Sequence, residues 1–327
     1  MEPIYLELTD CSKTTQVKKV LEPLVIDDQK ALKIKTIFKE ELEKGLKYGL
    51  KGSSLQMENT YFQMESSKLP TCNGKYLALD LGSTNFRVML IEMSNGVITN
   101  ELVEYYTVVE ATRLGPGEAL FDFLAQCIAD FIQENKLGTN ELPLGFTFSF
   151  PMEQQGLDAA ELVAWTKSYN AAGVVGQNVV KMLSDAIKRH GNLKVNVVAI
   201  LNDATGTLVK GAYDDPDTAI SLILGTGCNG AYLEAADKVL NWHSSRDEHV
   251  QEVIIDPEFG AFGDNGCIDF VKTDFDKELD ANSLLPGGYT FEKYLAGKFI
   301  GELARLVLVQ LHKQGLFMQQ QHFESFC

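Results

Sequence analysis

The chain has no apolar stretch that approaches the length of a membrane span, and its 327 residues contain no low-complexity linker. Its six cysteines, Cys11, Cys72, Cys127, Cys228, Cys267 and Cys327, are scattered, with no C-x-x-C pair and no spacing suited to zinc. This argues against a disulfide scaffold or a zinc module and fits free thiols in a reducing cytosol. Positive charge is scarce: 29 Lys and Arg against 45 Asp and Glu give a formal charge of -16. With no basic stripe to compensate, that charge repels nucleic acid at long range. Any phosphate ligand must then be held locally, by backbone amides and a metal. The opening run Met1-Glu2-Pro3-Ile4-Tyr5-Leu6-Glu7 has neither the basic start nor the apolar core of a signal peptide. The expectation is a cytosolic protein with no direct membrane insertion.

What is present is ordinary in bulk, with 45% hydrophobic and 23% charged residues, and the length favours two domains sharing a cleft. Apolar spacing predicts helices over about Asp28 to Lys47, Glu118 to Asn135, up to His190, and Phe299 to Gln314. Strand-like runs fall at Tyr76 to Leu81, Phe86 to Ile91, Glu104 to Val109, Leu142 to Phe150 and Val195 to Leu201. Strands and helices alternate after an initial meander, which predicts a mixed α/β sheet with ligands at the strand ends.

Two segments share one design, an apolar strand, a Gly/Ser/Thr/Asn turn and a second apolar strand, at Leu77 to Glu92 and Ile220 to Glu234. Their turns, Gly82-Ser83-Thr84-Asn85 and Gly225-Thr226-Gly227-Cys228-Asn229, are rich in N–H groups that can cradle a polyphosphate. Asp80 closes the first strand, where a carboxylate can hold Mg²⁺ through water. Each turn alone also suits a plain tight hairpin. Between them Asp203 follows an apolar strand, at the position a general base needs; a helix N-cap is the other use of Asp there. Ser149, Thr166 and Lys167 gather hydroxyls and an amine around a strand end, and Asn229, Glu258 and Glu292 add amide and carboxylate groups of the kind that read a polyol. Glu292 equally suits a helix start, where it complements the dipole.

Taken together and in order, these segments resemble the hexokinase family. Leu144-Gly145-Phe146-Thr147-Phe148-Ser149-Phe150-Pro151 with Trp165-Thr166-Lys167 looks like its sugar-binding signature, and Leu79 to Val88 like its first phosphate motif. Leu201-Asn202-Asp203, Leu224 to Asn229 and Gly260-Ala261-Phe262-Gly263-Asp264 extend the likeness over nearly the whole chain. The resemblance implies an actin-like (ribonuclease H-like) fold and ATP-dependent phosphorylation of a hexose, glucose first, at its 6-hydroxyl, the step that opens glycolysis. It implies Asp203 as general base and Ser149, Thr166, Lys167, Asn202, Asn229, Glu258 and Glu292 as sugar ligands. Gly82, Ser83, Thr84, Asn85, Thr226 and Gly227 would line the phosphate path, with Asp80 near Mg²⁺. By the same analogy residues 70–204 form the small domain, while 1–69 and 205–327 belong to the large one.

The chain also departs from the family pattern. Ser83 stands where glycine is usual, Ala204 where threonine is, Phe259 where tryptophan is, and Ser168-Tyr169 follows Lys167 where glycine and Phe or Leu are more common. The resemblance further implies an adenosine-binding motif and a final helix beyond the end at Cys327. The expectations drawn from this are weak nucleotide binding and uncovered apolar surface, with a non-catalytic sugar-binding product as the competing reading.

Overall fold

The computed structural model describes residues 11–62, 72–82, 85–138, 140–191, 193–242 and 250–318. In chain order the helices are α1 (Cys11–Leu21), α2 (Asp28–Tyr48), α3 (Glu110–Arg113), α4 (Gly117–Glu134), α5 (Val179–His190), α6 (Asp203–Asp214), α7 (Asp274–Ala281), α8 (Thr290–Leu295) and α9 (Gly297–Lys313). The strands are β1 (Glu58–Asn59), β2 (Gly74–Leu81), β3 (Asn85–Ser94), β4 (Val97–Thr107), β5 (Leu142–Phe148), β6 (Met152–Gly156), β7 (Ala159–Leu162), β8 (Val195–Leu201), β9 (Ile220–Leu224), β10 (Cys228–Ala235) and β11 (Glu252–Asp256). They group into two compact units: residues 1–55, 224–228 and 259–327 in one, 56–223 and 229–258 in the other.

The second unit is built on a five-stranded sheet in the order β4-β3-β2-β5-β8. Its first three strands form an antiparallel meander, while β2, β5 and β8 run parallel. The strands alternate: Leu77, Leu79 and Leu81 of β2, Phe86, Val88 and Leu90 of β3, and Leu144, Phe146 and Phe148 of β5 are all buried in one core. With a side-chain period of two, Asp80 points to the opposite face from its buried neighbours. Helix α4 brings Leu120, Phe121, Leu124, Ile128 and Phe131 onto that core, and α5 adds Val179, Leu183, Ala186 and Ile187. Fully burying one such side chain contributes about 1.5–3 kcal/mol before entropy is charged against it.

The same unit holds a second sheet, ordered β1-β11-β10-β9, with Ala204 and Leu208 of α6 packed against Ala231 and Ile254. Strand β9 is at its edge, with Ile220, Leu222 and Leu224 exposed while Ser221 is buried. Gln56 Nε2 donates to the carbonyl of Met152 at 2.6 Å, tying the start of β1 to the β6–β7 hairpin.

The first unit is helical. Asp27 caps α2 through Lys30 N at 2.7 Å, and Thr273 with Asp276 forms a capping box on α7. Glu41, buried on α2, accepts from Lys44 Nζ, Ser53 Oγ and Asn265 Nδ2. Its carboxyl is held below the usual range: burial pushes it up, but these hydrogen bonds win. Phe38 packs edge-on to Phe262 at 5.0 Å.

Most expected elements lie within a few residues of their observed ends. Strand β5 stops at Phe148 rather than Phe150, because the amide of Ser149 turns to Leu81 O ahead of Pro151. Strand β4 starts earlier, at Val97, and α1 and the β6–β7 hairpin carry no clear periodic signal.

Candidate functional site

Both repeated turns close as hairpins. In the first, Gly82 N donates to Asn85 O at 3.0 Å; Ser83 and Thr84 lie outside the described residues, and Asn85 opens β3 exposed. In the second, Gly225 N donates to Gly227 O at 2.9 Å, and the carbonyls of Gly225 and Thr226 accept from Gly297 N and Lys298 N at the start of α9. Thr226 is exposed and Gly227 buried. These two residues and Glu292 belong to the first unit; Asp80, Ser149, Thr166, Lys167, Asn202, Asp203, Asn229 and Glu258 all belong to the second.

In the second unit Asp80 lies in register with Arg87 on β3 and Thr147 on β5. Arg87 Nη1 pairs with its Oδ2 at 3.0 Å. The Asp80 carboxyl is raised: desolvation dominates, Arg87 opposes it, Asp203 raises it further and Lys167 lowers it. Those influences on Asp80 place Asp203 and Lys167 in its electrostatic neighbourhood. Lys167 donates through Nζ to Ser149 O at 2.7 Å. Phe148, Phe150, Trp165 and Tyr169 form one aromatic cluster flanking Thr166 and Lys167 in the chain, with Phe150 edge-on to Trp165 at 4.7 Å and Trp165 stacked on Tyr169.

Asp203 is not the helix cap. Asn202 takes that place, its Oδ1 accepting from Ala204 N at 2.9 Å, and Asp203 opens α6 partly exposed. The cap fixes the orientation of the Asn202 amide, because its oxygen must face Ala204 N. Its Nδ2 then donates to Glu258 Oε1 at 3.3 Å. Asn229 Nδ2 sits among Asn202 Oδ1, Glu258 Oε1 and Asp256 Oδ1, at 3.3, 3.3 and 2.9 Å. Reversing that amide would set an oxygen among three oxygens, so its orientation is fixed as well. Its own Oδ1 is buried and has no partner. A buried acceptor left unpaired costs about 1–3 kcal/mol, a debt that a ligand hydroxyl would cancel.

Two members of the group hold left-handed backbone conformations that non-glycine residues rarely adopt: Lys167 at φ 61° and Glu258 at φ 51°. Such outliers cluster at ligand-binding positions. In the first unit Glu292 lies in the first turn of α8, and its Oε2 accepts from Cys228 N at 2.9 Å.

Among the described residues no three His, Cys, Asp or Glu side chains group to enclose a metal. Mg²⁺ needs no such cage, since it keeps several waters and uses one or two carboxylates together with substrate phosphates. Asp80, a single carboxylate in the field of a second, suits that mode. Two residues of the site escaped the sequence reading. Asp256 ends the apolar run Val253-Ile254-Ile255, a signal that could have found it. Glu58, in a polar segment, carried none.

The chain matches two hexokinase family models, one over residues 16–213 and the other over residues 219–326. It therefore belongs to the hexokinase family. It is 38% identical over 318 residues to Hexokinase-1 of Rattus norvegicus, which covers 96% of this chain and 34% of that protein. It is 39% identical over 307 residues to Hexokinase-2 of Homo sapiens, covering 92% of this chain and 33% of that one. The chain thus spans about a third of the length of these relatives. Among solved structures, a hexokinase from Schistosoma mansoni complexed with glucose matches with a TM-score of 0.90 at 35% identity, over 96% of this chain and 70% of that one. A second hexokinase crystal structure matches with a TM-score of 0.71 at 29% identity, over 92% and 68%. The expected actin-like sugar kinase fold is the one the chain has.

Proposed function

We propose that this chain transfers the γ-phosphoryl group of ATP to the 6-hydroxyl of a hexose, with glucose as the first choice. The observation that carries the reading is the Asn202–Asn229–Glu258 network, which leaves one oriented, buried, unpaired acceptor, Asn229 Oδ1, and whose Asn202 directly precedes Asp203 in the chain. A site built to hydrogen-bond a hydroxyl rejects ligands that lack it. The glucose bound in the Schistosoma mansoni enzyme supports the choice of hexose.

In this reading Ser149, Thr166, Lys167, Asn202, Asn229, Glu258 and Glu292 hold the sugar. Asp203 accepts the proton of the 6-hydroxyl as its oxygen attacks phosphorus. Gly82, Ser83, Thr84, Asn85, Thr226 and Gly227 line the phosphate path, and Asp80 holds Mg²⁺ through water. When bound, the metal neutralises charge on the phosphoryl oxygens. Exclusion of water from the site limits ATP hydrolysis.

We also assign residues 70–204 to the small domain and 1–69 with 205–327 to the large one. The whole five-stranded sheet and its core, Leu77 to Ile200, lie inside the former. Among the described residues no helix is long and apolar enough to cross a membrane. Cys72, Cys127, Cys228 and Cys267 carry thiols rather than disulfides, which supports a cytosolic location, where the reaction feeds glycolysis.

The test is a coupled assay of ADP formation by the purified 327-residue chain. Glucose-dependent turnover is the expected result. Glucose binding without turnover leaves a sugar-binding product, and failure to bind glucose ends the reading. A narrower prediction concerns Gly227, where an added Cβ would meet Glu292 Oε2 at 2.5 Å. The carboxylate is the flexible end of its side chain, so Gly227→Ala is expected to fold with a denaturant midpoint close to the parent's. It should nevertheless displace Glu292 from Cys228 N and raise the glucose Kd about tenfold, the worth of one charge-assisted hydrogen bond. An unaltered Kd by calorimetry would separate Glu292 from the sugar.

A further inference from the structure

Strands β1 and β11 pair antiparallel with Glu58 directly opposite Asp256. Residues so paired project on the same face, where two like charges destabilise a sheet. Asp256 is only 2% exposed. Glu58 is partly buried, and burial is the largest influence on its carboxyl. Both line a small cavity with Met152, Gln154, Asn202 and Glu258, roomy enough for about one water.

The hydrogen bonds on the two carboxyls are unequal. Glu58 Oε1 accepts from Gln154 N and Oε2 from Gln56 Nε2, at 2.5 and 3.1 Å. Asp256 takes both of its bonds on one oxygen: Oδ1 accepts from Asn229 Nδ2 at 2.9 Å and from Glu258 N at 3.1 Å. Those two donors belong to residues assigned to the sugar. Asp256 Oδ1 therefore decides which way the Asn229 amide faces, and it secures the left-handed backbone of Glu258. The second oxygen receives no comparable donor in that set and is the place for a proton.

We propose that Asp256 is a positioning residue of the hexose site, sharing one proton with Glu58 and, in that state, aiming Asn229 Oδ1 and Glu258 at the sugar hydroxyls. The proposal rests on the hexose reading above. The charges acting on the pair oppose its ionisation: Asp203 acts on Asp256, and Glu153 and Asp256 act on Glu58. Glu258, on the segment after β11, adds a further carboxylate to the same cavity. Desolvation is the largest influence on both, pushing Glu58 up to about 8 and Asp256 well above the usual carboxylate range. Loss of the shared proton sets two anions face to face across the β1–β11 pair, and water or separation must relieve them. Either response moves Asp256 Oδ1, and with it Asn229 and Glu258.

Folded chains with these raised carboxyls bind more protons than unfolded ones. The stabilisation is fully present below the ordinary carboxylate range and is lost as pH rises toward about 8. Sugar affinity linked to one proton falls in the same direction, by at most about tenfold per pH unit.

The experiment is glucose binding to the full chain by calorimetry from pH 6 to pH 9, alongside infrared detection of a protonated carboxyl in the sugar-free protein. The parent is expected to show the protonated band at the acid end and about tenfold weaker binding at the alkaline end. Asp256→Asn preserves the Oδ1 acceptor and removes the ionisable group, so its affinity should be flat with pH, whereas Asp256→Ala binds more weakly throughout. Glu58→Gln provides the same flattening from the opposite strand if the first variant fails to fold. A parent slope that persists in Asp256→Asn and Glu58→Gln, or a parent that shows no protonated band at the acid end, overturns the proposal while leaving the hexose reading standing. No glucose binding at any pH overturns the hexose reading and takes the positioning role with it.

Discussion

Asp203→Ala is expected to lower the kcat of glucose-dependent ADP formation by about 10²- to 10⁴-fold, the span contributed by general bases, with little change in glucose affinity. The two quantities separate because the hydrogen bonds that orient Asn202, Asn229 and Glu258 run through Ala204 N and Asp256 and bypass the Asp203 carboxylate. Ground-state contacts with the sugar therefore survive the substitution, while the group that takes the proton as the 6-hydroxyl attacks is gone. Asp203 opens α6 behind the buried N-cap Asn202, so the truncation should leave the helix in place. Turnover retained in the alanine variant would remove Asp203 from the chemistry. An equal loss of binding would instead make it chiefly a sugar ligand.

The second large effect is structural. Phe148 is fully buried at the end of β5, with ring centroids 5.3 Å from Phe146, 4.9 Å from Phe150 and 5.9 Å from Trp165. Phe148→Ala removes a ring at a crossing of sheet and loop, and a cost of about 3–5 kcal/mol is expected, from lost transfer energy plus the cavity left behind. Trp165 loses a face of its packing and its hold on Ala171 O, now 2.9 Å from Nε1. Thr166 and Lys167 follow Trp165 directly, so glucose binding should weaken along with stability. Chemical denaturation and calorimetry on one preparation would check both. A loss below about 1 kcal/mol would show that the site collapses around the missing ring at little cost.

Gly263, in the Gly260–Asp264 motif, shows the kind of detail sequence conveys well. Its φ is 92° and a Cβ there would meet Ile268 Cγ1 at 2.3 Å, so glycine is required by backbone and by packing together. Likewise the paired hairpins and the buried strands of the five-stranded sheet were legible, because period-two apolar runs and turn residues each report a local physical need. Asp203 was legible as a residue at a strand's end but not in its local role. Only the hydrogen bond from Ala204 N shows that Asn202 is the cap. Glu58 was not legible at all, since one acid in a polar segment carries no pattern until a strand is laid beside it.

The sequence by itself determined the family, the order of its motifs, the placement of most strands and helices, and the set of side chains proposed for a hexose. Periodicity, turn chemistry and motif spacing are properties of neighbouring residues, and they survive without knowledge of the fold. Tertiary structure alone decided that Glu58 faces Asp256, that one oxygen of Asp256 orients both Asn229 and Glu258, and that Asn229 Oδ1 is the acceptor left free. Those outcomes depend on the register between strands far apart in the chain and on how much water each carboxyl loses, and both are set only when the whole unit packs.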